Sequence, residues 1–147
     1  MENDRYAPPA AAVADVVPAG KGQPPSRVVL AVRLLWVSLL LAVPSFYFSV
    51  ERSPAGAATA VTLVFELGIF ALAAYLNVSI FRGKNWARIL SLIFTALGLL
   101  LVAFAPNPVE ITVIEQLVNG VATVLDVVAM YLLFTAPGSA WFKNVAR

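Results

Sequence analysis

Five polar residues in the last third of the chain, Thr112, Glu115, Asn119, Thr123 and Asp126, are spaced three, four, four and three apart. That interval returns to one side of an α-helix at every turn. A second set, Thr59, Thr62, Glu66, Ala73 and Asn77, falls on one face in the same way, and a milder stripe runs Ser91, Thr95, Gly98. The segments carrying these residues are otherwise apolar. Each stripe is therefore expected to turn away from lipid and toward other helices, because hydrocarbon cannot satisfy polar groups. Carboxyls and carboxamides placed there have two uses. They hold helices together by hydrogen bonds, or they relay protons and cations.

Depth can be counted from the end of each apolar run. Glu66 lies 15 residues before Phe81, and Asn119 lies 16 before Thr135, so a Glu66–Asn119 hydrogen bond is expected near mid-membrane. Asp126 is nine residues from Thr135 and Arg33 five from Val28. A long arginine side chain covers the remaining ~6 Å at 1.5 Å per residue, which predicts an Arg33–Asp126 ion pair, with snorkelling of Arg33 to the cytoplasmic surface as the alternative. Glu115, four residues inside Ile111, is expected either to face the bundle with the rest of its stripe or to face water at the outer surface.

Other chemistry is excluded by composition. The chain has no Cys and no His, which removes disulfides, thiolate chemistry, imidazole metal sites and His-based triads together. No phosphate-binding loop is present, and the carboxylates sit in separate segments. An enzyme, a metal site, a cofactor and a nucleic-acid partner are all unexpected.

The elements that position the polar stripes are membrane spans. Hydrophobic residues make up 61% of the 147 positions and charged residues 12%, half the charge of an ordinary soluble domain at about 25%. Four apolar runs are long enough to cross a bilayer, which needs about 20 residues: about 28–50, 55–81, 87–105 and 111–136. The first contains Pro44, which should kink or loosen it. Ala55-Gly56-Ala57 has the look of a signal cleavage site, but a secretory signal has an apolar core of only about 7–15 residues, so an uncleaved span is expected. Glu51-Arg52-Ser53-Pro54 and Ala105-Pro106-Asn107-Pro108 are the turns at one end, and Pro137-Gly138 stops the fourth span. Short connections predict an antiparallel four-transmembrane-helix bundle over 27–147.

Residues 1–26 hold five of the ten prolines with Ala, Gly and mixed charge. That composition cannot bury enough apolar surface to offset its ordering entropy, and a disordered tail is expected. The opening Tyr6-Ala-Pro-Pro-Ala-Ala-Ala-Val-Ala-Asp15 resembles the cytosolic tail, beginning Tyr-x-Pro-Pro, of uncharacterised small four-span bacterial inner-membrane proteins. The phrase Leu132-Leu133-Phe134-Thr135-Ala-Pro-Gly-Ser-Ala-Trp141-Phe142 is similar to the last-helix ending of such proteins. The resemblance implies a bacterial cytoplasmic (inner) membrane protein and carries over no functional residue.

Orientation follows from the cations. Arg5, Lys21, Arg27, Arg82, Lys84, Arg88, Lys143 and Arg147 fall on one side, and Arg52 alone falls on the other. The positive-inside bias then places both termini and the Arg82–Arg88 loop in the cytoplasm. Arg82, Lys84 and Arg88 suit anionic lipid headgroups at about 1 kcal/mol each. Trp36, Trp86 and Trp141 all lie toward that side as interfacial anchors. The function expected is an accessory, scaffold or partner-binding bundle, with the tail offered to a membrane or cytosolic protein. The alternative is a proton- or ion-conducting subunit whose pathway is completed by a second copy of the chain and lined by Glu66 and Asp126.

Overall fold

In the computed structural model the described residues are 23–53, 56–104 and 111–145. The proline-rich tail up to residue 22, with its Tyr6 motif, lies outside them, as do Pro54-Ala55, the Ala105–Pro108 turn and the last two residues. The described residues form five helices: α1 (Ser26–Glu51), α2 (Ala57–Phe81), α3 (Asn85–Phe104), α4 (Val113–Phe134) and the short α5 (Gly138–Val145). The first four are long and apolar enough to cross a membrane. The fold is that of a multi-pass, all-α membrane protein, as the apolar runs predict.

Helix boundaries have local causes. α1 starts at Ser26, just behind Pro25, and continues through Pro44 without a break. α2 ends in a Schellman turn: Gly83 N–H donates to the Ile80 carbonyl at 2.9 Å and Lys84 N–H to the Ser79 carbonyl at 3.0 Å. Gly83 sits at φ 78°, a left-handed conformation that L side chains disfavour. The cationic loop is therefore only a three-residue hairpin turn before α3. α4 opens on a capping box, in which Glu115 N–H donates to the Thr112 hydroxyl and Thr112 N–H donates back to the Glu115 carboxylate.

α1 packs most extensively against α4 and next against α2, while α3 closes the bundle by touching α2 and α4. The packing is uneven along the bundle axis. Among the described residues the large buried apolar side chains gather at the end that carries Ser26 and α5. They are Val28, Val32 and Leu35 of α1, Leu76 and Ile80 of α2, Met130 and Leu133 of α4, and Phe142 of α5. Toward the opposite end few apolar side chains are buried. Beyond Thr95 every residue of α3 is exposed, as lipid-facing side chains are. The Ser91–Thr95–Gly98 stripe accordingly faces the bundle only in its first part, with Ser91 buried and open space around Gly98.

Candidate functional site

α1 is the centre of the polar arrangement. Its packed face runs Val28, Ala31, Val32, Leu35 and Ser38, and the same helical phase continues to Ser45, Ser49 and Arg52. Ser38 donates to the Ala122 carbonyl at 3.3 Å and stands beside Asp126. Ser45 donates to Asn119 Oδ1 at 2.7 Å, and Ser49 to Glu66 Oε1 at 3.3 Å. Ser53 donates to Thr62 Oγ1 at 3.1 Å. One face of one helix thus reaches α4 through Ser38 and Ser45, and α2 through Ser49.

This changes two expected pairings. Glu66 and Asn119 are not joined to each other; each bonds a serine of α1, because α1 lies between α2 and α4 along the polar face. Arg33 and Asp126 form no ion pair. Arg33 is exposed. It follows the buried Val32 by one residue and so points about 100° away from the packed face. Asp126 faces the Ser38 hydroxyl instead. Counting placed these residues at workable depths, but helix rotation decided the partners.

Of the two positions open to Glu115, the structure takes the inward one. It does not face water: only 3% of its side chain is exposed, and Arg52 grips both carboxylate oxygens. Arg52 Nη2 lies 2.7 Å from Oε1, and Nη1 3.1 Å from Oε2. The Thr112 hydroxyl and amide each add a bond of 2.9 Å to Oε2. A planar guanidinium matches a carboxylate fork, so both Arg52 ends are used and the charge is met where it is buried. The same hydrogen bond to Glu115 is the main cause that raises the Arg52 pKa above its ordinary value.

A second arginine site occupies the opposite end. Arg88, expected with Arg82 and Lys84 at the lipid headgroups, is instead drawn into the bundle. Arg82 and Lys84 are exposed. Arg88 is buried, donates to the Leu133 carbonyl at 3.2 Å, and lies over the Phe134 and Phe142 rings, 4.8 and 4.6 Å from their centroids. Arg27 donates to the Ala136 carbonyl at 2.7 Å. Two cations therefore satisfy carbonyls at the α4–α5 corner, where a helix end leaves acceptors without partners. Trp86 is exposed beside Tyr75, its ring centroid 6.0 Å away. Trp141 packs edge-on against Phe142 at 4.8 Å and joins the core margin. Trp36 is exposed on α1.

The α1 serines escaped the sequence reading, although Ser38, Ser45, Ser49 and Arg52 are spaced seven, four and three apart. Serine is common in apolar helices, and only the phase shared with the carboxylate stripes would have singled them out. Among the described residues no cluster of ligands suited to a metal occurs. Comparison with family models, curated proteins and solved structures finds no match in any of the three. The class defined by fold and site is a small integral membrane helix bundle with a polar seam along α1.

Proposed function

We propose that the chain is a non-enzymatic scaffold of the bacterial cytoplasmic membrane, a bundle that holds a partner protein rather than transforming a substrate. The supporting observation is that its intramembrane polar groups bond to one another across helices, at Ser45–Asn119, Ser49–Glu66 and Arg52–Glu115. Groups used in this way fix a framework, each hydrogen bond contributing about 0.6 kcal/mol in a membrane. In this reading both termini and the Arg82–Lys84 turn face the cytoplasm, with Arg82, Lys84 and Lys143 against anionic headgroups. The proline-rich N-terminal segment is offered to the partner.

In-membrane crosslinking followed by pull-down tests this with the full chain and with a chain lacking residues 1–22. A partner recovered only by the full chain supports the reading, and one recovered by neither removes it. A reporter fused after Arg147 that is active only in the periplasm would overturn the orientation.

A second reading, an ion- or proton-conducting subunit working as an oligomer, is favoured by Glu66 and Asp126. Each carboxyl faces a serine hydroxyl of α1. Flux through proteoliposomes that Glu66→Gln abolishes would select it over the scaffold.

A further inference from the structure

The packed face of α1 changes character at mid-helix. Toward Ser26 it is apolar, and Leu35 belongs to the buried core that also holds Leu76, Met130 and Leu133. Toward Arg52 it presents Ser38, Ser45 and Ser49, about 17 Å of helix at 1.5 Å per residue. α4 answers with Asn119 and Asp126, and α2 with Glu66.

The helix that would roof this stretch is α3, yet it buries only Ala87, Arg88 and Ser91 and is exposed from residue 96 to its end. Asn119 is exposed as well, although it lies six residues, about 9 Å, inside α4. An exposed carboxamide at that depth cannot face hydrocarbon without a large penalty. Neither can the half-buried carboxyls of Glu66 and Asp126. Water relieves all three at once.

We propose that the groove between α2 and α4 is a water-filled half-channel, open at the Arg52 end and stopped at mid-membrane by the apolar core below Asp126. This goes beyond the scaffold reading and holds equally for a conducting subunit. The groove admits small cations in preference to anions. Its carboxyls are Glu66 and Asp126; Arg52 at its mouth is matched by Glu115, and Arg33 points away from it on the apolar half of α1.

The chain contains no cysteine, so single-cysteine labelling in membranes tests the groove directly. Ser45→Cys, Asn119→Cys and Thr123→Cys probe it, Leu35→Cys probes below its floor, and Val64→Cys and Val102→Cys face lipid. Ser53→Cys and Lys84→Cys mark the two membrane faces. Impermeant methanethiosulfonates of either charge are applied, each rate being normalised to that with a free thiol.

The groove thiols should react roughly ten-fold or more faster than the lipid-facing controls, and only from the Ser53 side. The cationic reagent should be favoured, and adding Glu66→Gln should remove that preference. Groove rates no higher than those of Val102→Cys would overturn the half-channel. So would protection accompanied by Asn119→Cys crosslinking to a second chain, since a second copy would then fill the groove in place of water. Equal rates for the two reagents would overturn the cation preference. Three groove positions are used so that misfolding of one variant does not decide the result.

Discussion

Arg52 caps the first helix and Glu115 lies in the first turn of the fourth. Separated by 63 positions, they share two hydrogen bonds of 2.7 and 3.1 Å. The pair ties the α1–α2 turn to the start of α4 at the end of the bundle where apolar packing is thinnest. Arg52→Ala leaves a buried carboxylate with only the Thr112 donors, so it should lower resistance to unfolding by SDS. Glu115→Gln keeps the helix cap and should cost less. The double variant should be less damaging than the sum of the two singles, because each single change strands the other group. Additive losses would show that the pair contributes nothing.

At the other end the Arg88 guanidinium lies over the Phe134 and Phe142 rings, and its replacement should be felt. Arg88→Lys loses the planar stacking and should destabilise by about 1–2 kcal/mol. Phe142→Ala removes a wholly buried ring and should cost about 3–5 kcal/mol. Trp141 touches Phe142, so its fluorescence during denaturant titration reads both changes.

Glycine substitutions separate tight from open sites. A Cβ on Gly138 would stand 2.7 Å from the Leu132 carbonyl oxygen, and Gly138→Ala should cost about 1–3 kcal/mol as the α4–α5 corner shifts. Gly68, Gly98 and Gly120 have nothing within 4 Å. Alanine at these three should be neutral or should stabilise by up to about 1 kcal/mol through helix propensity. Thermal unfolding in detergent distinguishes the two outcomes.

The Ser45–Asn119 bond should give a coupling of about 0.6 kcal/mol in a double-mutant cycle. Arg33 and Asp126 should give none, since Arg33 is exposed and Asp126 meets Ser38. A measurable Arg33–Asp126 coupling would contradict the rotation of α1 described above.

What the sequence determined by itself was the set of elements and the direction of their polar faces. Composition demanded lipid, run length set four spans, and the spacing of Glu115, Asn119 and Asp126 showed which side of α4 turns inward. Pro137-Gly138 marked the stop after the fourth span through local geometry that any chain with those residues obeys. Tertiary structure alone decided who meets whom. Counting residues gives depth along an axis, but a partner also requires the rotation of each helix and the order of helices around the bundle. Those come from side-chain packing between segments remote in sequence. That is why Arg33 lost Asp126 to Ser38, why Glu66 and Asn119 found separate serines, and why Arg88 left the headgroups for two aromatic rings. Glu115 reached Arg52 for the same reason: the lone cation at its end of the membrane was brought to it by the packing of α1 on α4.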